Sequence, residues 1–317
     1  MPTSKDVAKL AGVSHTTVSR AFRGDVKLKP STYERVMAAA ERLGYTPNLI
    51  AAGLKGRSSK TIGLIISDIS NPFFMIVAQR IEKLLNKNGY RLIISFDDNS
   101  AERQQKAVRM MLSARVEAVI FAPVFSKTAP EYVNDKNKII QLFSDVYADK
   151  SSVRIDDEHG AFIAAEYLLK KGHDNIMLLG GADRKEGYDK AFKTLCEITD
   201  FYSDDEGDMT ANIKKYIAKK KPTAIIAVGD RYARCCVSAL RELNLSAPND
   251  ISLLVYDDLD WTQMMNITVV AHPMQALSEA VANLLNFQIC GDDSVSKLVY
   301  KPFIIERNSV KERQKTK

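Results

Sequence analysis

Four polar side chains near the start of the chain have the types and spacing needed to recognise DNA bases. They are His15, Thr16, Ser19 and Arg20. On a helix, which advances about 100° per residue, these positions fall within roughly 140° of one another. The opposite, apolar side consists of Val18, Ala21 and Phe22. A short, donor-rich face near a helix N-terminus is what a recognition helix presents to base edges in the major groove.

A preceding helix and a tight turn must hold this face in place. Thr3 and Asp6 have the spacing of a capping box. The apolar residues of this helix would form one buried stripe of Val7, Ala8 and Ala11. Gly12 is expected to end the helix, and Ser14 to cap the next one by accepting a bond from a free amide N–H. A helix pair that merely packs on the domain behind it is the alternative.

A third helix is predicted to follow. Ser31 has capping-box spacing to Glu34, and Gly44 ends the apolar pattern. The apolar positions at helical spacing are Tyr33, Val36, Met37, Ala40 and Leu43. Three such helices can enclose a small core.

The positive charge of the chain is concentrated in the same segment. Residues 1–60 contain 11 Lys and Arg against 4 Asp and Glu, a net charge of +7. The remaining residues contain 34 basic and 35 acidic side chains, a net charge of −1. Because DNA binding neutralises phosphates, this asymmetry favours a nucleic-acid partner for the N-terminal segment.

Five short motifs follow one another in this segment. They are Lys5-Asp6-Val7-Ala8, Ala11-Gly12-Val13-Ser14, Thr17-Val18-Ser19-Arg20, Tyr45-x-Pro47-Asn48 and Ala51-x-x-Leu54. Their order resembles the lactose/galactose repressor (LacI/GalR) family. The resemblance implies a dimeric repressor that binds palindromic operator DNA. It implies DNA contacts by Ser4, Ser14, His15, Thr16, Thr17, Ser19, Arg20, Asn48, Leu54 and Lys55.

Residues 48–55 are too few for a stable isolated helix, since helices below about 12 residues are marginal in water. The resemblance implies a hinge helix that becomes ordered on operator DNA, where Leu54 of both subunits wedges into the minor groove and bends the duplex. Gly53 lowers the helix propensity of this segment. A plain linker is the alternative, and Gly56-Arg57-Ser58-Ser59-Lys60 favours it.

From Thr61 onward, short apolar runs alternate with helical stretches. The predicted strands are 62–67, 91–96, 118–122, 139–143, 175–180, 224–228 and 251–256. Apolar strands separated by helices indicate a doubly wound α/β fold with parallel sheets. Two sheets are expected, separated near residues 156–160, with a ligand cleft beyond the carboxyl ends of the strands. The predicted domains are a helix-turn-helix domain (1–46), a hinge and linker (47–60), a sensor (61–310) and a basic tail (311–317).

Further motifs extend the resemblance to a periplasmic-binding-protein-like sensor. They include Asn71-Pro72-Phe73-Phe74, Lys171-Gly172-His173, Tyr256-Asp257-Asp258 and Glu306-Arg307-Asn308-Ser309. The resemblance implies an effector surrounded by Asn71, Phe73, Phe74, Asp145, Arg184, Asp230, Asp257 and His272. Carboxylates and a guanidinium can bond vicinal hydroxyls while phenyl rings pack on the C–H face of a sugar, which suits a neutral polyol. Alternatively, the two phenylalanines belong to the core and Asp257 caps a turn.

Other functional classes find little support in the sequence. No apolar run approaches the roughly 18 residues of a membrane span and no signal-peptide pattern is present, which predicts a cytoplasmic protein. The four cysteines have no metal-site spacing and are expected to be small buried residues. No phosphate-binding or nucleophile motif occurs, so the sequence predicts no enzyme, cofactor or metal site.

The predicted function is therefore a transcription regulator whose operator affinity responds to a sugar-like metabolite in the sensor. In a second hypothesis, the sensor fold serves dimerisation or a protein co-regulator without a small ligand. His272 in place of a Gln common among the relatives, and Gly229 in place of a common Asn, favour it. A stand-alone periplasmic sugar binder is a third hypothesis, opposed by the basic N-terminal segment.

Overall fold

The computed structural model describes residues 2–22, 27–45, 58–124, 133, 137–181, 184–192, 198–199 and 205–313. The chain divides into two compact units, Met1–Ser59 and Lys60–Lys317. No helix within the described ranges is long and apolar enough to cross a membrane.

Residues 2–22 and 27–45 of the first unit contain three helices. They are α1 (Ser4–Ala11), α2 (His15–Ala21) and α3 (Pro30–Leu43). The predicted capping box is confirmed: the Thr3 amide donates to the Asp6 carboxylate at 2.7 Å, and the Asp6 amide donates to Thr3 Oγ1 at 3.4 Å. Gly12 and Gly44 end α1 and α3 with φ of 63° and 60°, the left-handed conformation that glycine adopts readily. The small core contains Val7, Ala8, Ala11, Val18, Ala21, Val36, Ala39 and Ala40.

The predicted capping box of the third helix is wrong. The cap position of α3 is Lys29, which makes no side-chain capping bond, and Pro30 is the first helical residue. Proline suits this position because its fixed φ is already helical and its missing N–H would have had no partner there. Ser31 therefore lies inside the first turn and cannot act as the cap.

The second unit contains two six-stranded sheets. The strands are β1 (Thr61–Ile66), β2 (Arg91–Phe96), β3 (Ala118–Phe121), β4 (Ile139–Leu142), β5 (Ser151–Ile155), β6 (Ile176–Leu179), β7 (Ile198–Thr199), β8 (Ala224–Ala227), β9 (Ser252–Tyr256), β10 (Thr268–Ala271), β11 (Lys297–Tyr300) and β12 (Phe303–Ile305). The helices are α4 (Pro72–Lys87), α5 (Ala101–Ser113), α6 (Asp157–Lys170), α7 (Lys185–Phe192), α8 (Glu206–Lys220), α9 (Asp230–Glu242), α10 (Asp260–Met264) and α11 (Met274–Ile289). The sheet orders are β11-β5-β4-β3-β1-β2 and β12-β10-β9-β8-β6-β7.

The chain passes between the two sheets three times. It leaves the first sheet after β5, returns after β10, and leaves again between β11 and β12. On its return, α11 packs on the core of the first sheet through Leu277, Val281 and Leu285. Strands apolar along their whole length, such as β3, are buried on both faces, as a sheet covered by helices requires.

The doubly wound α/β prediction is confirmed, with one departure: β12 pairs antiparallel to β10. All seven predicted strands are present within a residue or so of their expected ends. The prediction for the cysteines is correct for Cys235 and Cys236, which are buried, and wrong for Cys290, which is exposed at the end of α11.

Candidate nucleic-acid interface and effector site

The N-terminus of α2 is fixed by a hydroxyl network centred on Ser14. The Ser14 hydroxyl accepts from the Thr17 amide at 3.1 Å, which confirms it as the helix cap. It also lies 2.8 Å from the hydroxyls of both Thr16 and Thr17. These three predicted DNA-contacting residues therefore hold one another in place before DNA arrives.

The other predicted DNA-contacting residues of this unit lie on the same helix or at the start of α1. His15 is exposed and Ser19 and Arg20 are half-buried on α2, while Ser4 is the first residue of α1. Val18 and Ala21 face the core, so the two-sided character of α2 is confirmed. Asn48, Leu54 and Lys55, with the hinge helix as a whole, lie outside the described residues.

Arg35 is a residue that sequence reasoning missed. Its guanidinium Nη2 donates from α3 to the carbonyl oxygens of Ala11 at 3.0 Å and Gly12 at 3.5 Å. A cation at a helix C-terminus is favourable because the last carbonyls lack intrahelical partners. Arg35 thus holds the turn that aims α2. No local pattern could reveal this contact, since 24 residues separate the partners.

In the second unit, an aromatic cluster joins the two sheets. Phe73 at the start of α4 lies 5.5 Å from Phe74, 5.1 Å from Phe143 and 5.6 Å from His272, measured between ring centroids. Phe73, Phe74 and Phe143 are half-buried and pack on the core of the first sheet, whereas His272 follows β10 of the second. Phe73 therefore contacts two other predicted effector residues, Phe74 and His272, and the two phenylalanines pack partly as core residues.

His272 also pairs with Asp257. The His272 Nε2 atom lies 3.1 Å from Asp257 Oδ1, and both side chains are nearly buried. Asp257 follows β9 with φ of 76°. His272 Nδ1 is buried and has no hydrogen-bond partner among the described residues. A buried ring nitrogen without a partner is a vacant acceptor or donor position beside the aromatic cluster.

Arg184 contacts residues of the second subdomain, the part of the sensor built on the second sheet, as the first subdomain is built on the first sheet. Its Nε donates to Asp157 Oδ1 at 2.9 Å, and its guanidinium carbon lies 5.2 Å above the Tyr256 ring. Burial is the main cause that raises the pKa of Tyr256 well above its ordinary value. The arginine is thus oriented between α6 and the end of β9.

The Asp230 side chain is nearly buried, unlike a carboxylate that is free to bind a ligand. It begins α9 with only 5% of its side chain exposed. Its Oδ1 accepts from Trp261 Nε1 at 2.9 Å, and its Oδ2 accepts from Arg234 Nε at 2.8 Å. Arg234 in turn binds Glu206 with both terminal nitrogens, at 3.1 and 2.9 Å.

The remaining predicted effector residues have local partners. Asp145 forms an ion pair with Lys297 Nζ, which also donates to the carbonyls of Tyr147 and Lys150. Asn71 Oδ1 accepts from the Phe73 amide at 3.0 Å and so caps α4. The eight residues thus form several separate pairs, of which only Phe73, Phe74, His272 and Asp257 make one continuous cluster.

Two grooves run along α4. The charged groove, of about 1170 Å³, is lined by Arg80, Lys83 and Lys87 of α4, by Glu279 of α11, and by Asp257, Asp258 and Asp260 of the second sheet's side. The indole groove, of about 650 Å³, lies between Pro72, Met75 and Ile76 of α4 and Trp261 of α10. Both grooves contain residues of both subdomains.

A small helix-turn-helix unit joined to a two-sheet α/β sensor defines a class of DNA-binding transcription regulators. Residues 3–48 match the family described as bacterial regulatory proteins of the lacI family, and residues 165–310 match the periplasmic binding protein-like domain. Catabolite control protein A of Priestia megaterium is 31% identical, over 96% of this chain and 98% of that protein. The chain therefore belongs to the LacI family.

Other relatives agree with this assignment. The HTH-type transcriptional repressor PurR of Vibrio campbellii is 29% identical, over 98% of this chain and 99% of that protein. A LacI-family transcriptional regulator from Silicibacter pomeroyi has a TM-score of 0.83 at 22% identity, covering 98% of this chain and 100% of that one. The lac repressor dimer bound to operator and the anti-inducer ONPF has a TM-score of 0.80 at 23% identity, covering 98% and 99%. The chain is a DNA-binding transcription regulator with the fold of these proteins.

Proposed function

We propose that this regulator is a repressor that binds a palindromic operator as a homodimer, and that a sugar-like effector between the sensor subdomains changes its operator affinity. The observation that carries the DNA-binding part is the Ser14-capped helix α2, with His15 and Arg20 on the face opposite the core. One such helix reads a few base pairs, so two related by a twofold axis are needed for a specific site.

The charged groove supports a second copy of this chain as the partner. It is lined by three basic side chains of α4 and by the acidic side chains Asp257, Asp258 and Asp260 of the second subdomain. A twofold axis can place the basic side chains of one protomer against the acidic side chains of the other. This arrangement favours a symmetric pair of identical chains. The lac repressor structure that resembles this chain is a dimer.

The aromatic cluster supports a sugar-like effector. Phe73, Phe74 and Phe143 offer ring faces for C–H groups, and the Asp257–His272 pair and Arg184 offer polar groups nearby along the carboxyl ends of the strands. Similar structures have been solved with D-xylulofuranose and with cellobiose. The effector can shift operator affinity only by as much as it prefers one sensor state over the other, typically about 1–3 kcal/mol.

The proposal is tested in two steps. Operator sequences are selected from random duplexes with the full-length protein, and affinity is then measured with and without compounds that raise its melting temperature in a screen of sugars, nucleosides and phosphorylated sugars. Arg184→Ala should bind the operator normally and lose the response to a compound that acts on the wild type. Arg241→Ala, the same change on an exposed turn of α9, is the matched control. A normal response by Arg184→Ala would contradict the proposed site.

The second hypothesis, a sensor without a small ligand, also has an observation in its favour. Arg184, Asp230 and Asp257 each have a polar partner within the chain, so their charges are compensated without a ligand. This hypothesis predicts that no compound in the screen raises the melting temperature while operator binding remains intact.

A further inference from the structure

Trp261 is the only tryptophan in the chain, and its two edges face different environments. Its indole N–H donates to Asp230 Oδ1 at 2.9 Å. Its ring packs against the core of the second sheet and forms one side of the indole groove, opposite Pro72, Met75 and Ile76 of α4. Trp261 therefore lies between Asp230, which follows β8, and α4, the helix that borders both grooves.

The carboxylate of Asp230 is held for this contact from two sides. Arg234 Nε donates to the second oxygen at 2.8 Å, and the guanidinium is itself fixed by its two bonds to Glu206 at the start of α8. The hydrogen bond to Asp230 and those to Glu206 raise the pKa of Arg234 further above its ordinary value, so the guanidinium stays charged. Three helices, α8, α9 and α10, thus meet at one carboxylate.

Such an arrangement fits a positioning role better than direct contact with an effector. With 5% of the side chain exposed and one donor on each oxygen, Asp230 has little surface to offer a ligand. A charge-assisted hydrogen bond is short and directional, and it therefore fixes the indole orientation more firmly than packing alone.

We propose that Asp230 positions Trp261 in the indole groove, and that this contact sets the strength with which a second copy of the chain binds along α4. The inference rests on the proposed homodimer. It assigns Asp230, which the sequence placed among the effector contacts, to the assembly of the dimer. The loop that follows β8 then acts on α4 through a single hydrogen bond to the indole.

The first measurement uses the fluorescence of the single tryptophan. Asp230→Asn leaves one side-chain acceptor oxygen for two donors, so the indole and Arg234 can no longer both be satisfied. In the full-length protein this variant should show a larger acrylamide quenching constant than the wild type, because the indole is released. Asp208→Asn, the same change at an exposed position in the first turn of α8, should leave the constant unchanged. An unchanged constant in Asp230→Asn overturns the positioning role.

The second measurement is dimer dissociation by sedimentation of the full-length protein. Trp261→Phe keeps an aromatic ring in the groove and removes the five-membered ring with its N–H. It should weaken the dimer about tenfold, because a ring that is not held in one orientation must be ordered when the second copy binds. Asp230→Asn should weaken it similarly, and the double variant should be no weaker than either, because both changes remove one interaction. Additive losses, or a wild-type dissociation constant in Trp261→Phe, overturn the inference.

The two readouts separate this inference from the proposed homodimer. If the wild type sediments as a monomer at all concentrations, the homodimer fails and with it the role of the indole in assembly. The quenching experiment still decides whether Asp230 holds Trp261. If instead the wild type dimerises and the variants do so equally well, only the inference about Asp230 fails.

Discussion

Ser14 shows how one hydroxyl organises a recognition surface. Because it caps α2 and bonds the hydroxyls of Thr16 and Thr17, these short side chains are committed to the helix start. Their methyl groups can make apolar contact with thymine, and we expect the longer side chains of His15 and Arg20 to provide the hydrogen-bond readout. The short hydroxyl side chains thus stabilise the start of the helix, and the longer side chains remain available for bases.

Arg20 is expected to carry guanine readout. A bidentate contact with guanine O6 and N7 contributes about 1–3 kcal/mol of discrimination, so Arg20→Ala should lower specific binding by a factor of about 5–150. Non-specific binding should fall much less, because the other basic residues still meet phosphates. A gel-shift titration with competitor DNA measures both. Equal losses would identify Arg20 as a phosphate contact.

Gly187 permits a close approach of two helices in the sensor. A Cβ at this position on α7 would lie 2.1 Å from the Glu158 carbonyl oxygen and 2.7 Å from Ala161 Cβ, both on α6. Gly187→Ala must therefore push the helices apart and should destabilise the sensor by about 1–3 kcal/mol. Urea unfolding measures the loss. Glu186→Ala, at the exposed neighbouring position, is the control, and equal midpoints for both variants would refute the packing argument.

At the scale of elements, the C-terminal segment 311–313 packs against the turn between α6 and β6. His173 is 2% exposed, with Nδ1 3.1 Å from Thr223 Oγ1 and Nε2 3.1 Å from the Lys311 carbonyl oxygen. Since a carbonyl only accepts, Nε2 carries the proton. Gly172 next to it, at φ of 87°, lets the Arg313 carbonyl approach to 2.1 Å of where a Cβ would lie. Both residues are needed for the C-terminal segment to pack here.

The contacts of His173 should stabilise the protein less at acid pH. Burial lowers the pKa of His173 below its ordinary 6.5, so just below that pH the unfolded chain binds a proton that the folded protein does not. The free energy of unfolding therefore falls as pH drops through about 6.5 towards the lower pKa of the folded protein. Above that range, the contribution of this group no longer changes with pH.

His173→Gln supplies an amide for both partners without titrating. Between about pH 7.5 and about pH 5.5, the urea midpoint of this variant should fall less than that of the wild type. The other three histidines are present in both proteins, so the difference reports His173 alone. Equal falls in both proteins would mean that folding does not lower the pKa of His173.

The sequence predicted many elements from a strong local signal, although it missed β10, whose residues are all buried. Long apolar runs such as β1, and helix ends marked by glycine such as α1 and α3, were found within a residue or so. β5 and β11 were missed because serine, arginine and lysine interrupt their apolar pattern. β5 is buried between β4 and β11, whereas β11 is an edge strand with exposed residues. α3 began earlier than predicted because proline favoured the first turn over the serine cap.

The site was predicted less completely than the fold. Resemblance led to Phe73, Asp257 and His272, which do form one cluster. It could not reveal that Asp230 pairs with Trp261 or Arg184 with Asp157, because each contact joins segments 27 to 31 residues apart whose alignment is set by sheet order. The role of Arg35 behind the recognition helix was hidden for the same reason.

At the scale of the whole molecule, positive charge and DNA recognition occupy the same 60 residues. The net charge of +7 there and −1 in the rest means that DNA is attracted by one unit and hardly by the other. Electrostatic attraction to phosphates is independent of sequence, so it brings the protein to DNA, and specificity must come from contacts with base edges.

Operator binding should therefore depend steeply on salt. With eleven cationic side chains in this segment of each protomer, affinity should fall by at least about 10³ between about 50 and 200 mM salt. Lys5→Gln on α1 should reduce the slope of log affinity against log salt if it meets a phosphate. Lys219→Gln, an exposed change on α8 of the sensor, should leave the slope unchanged. Equal slopes for the wild type and Lys5→Gln would remove this lysine from the interface.

The three passages of the chain between the sensor sheets also determine the order in which the protein can be completed during synthesis. The first sheet contains β1 near residue 61 and β11 near residue 300, so its edge strand leaves the ribosome long after β1. The second sheet waits for β12 in the same way. The helix-turn-helix unit has all its residues within the first 59 and can fold while the sensor is still being made. Growing chains thus acquire a DNA-reading unit long before the surface that would pair them, and a truncated product would keep the first without the second.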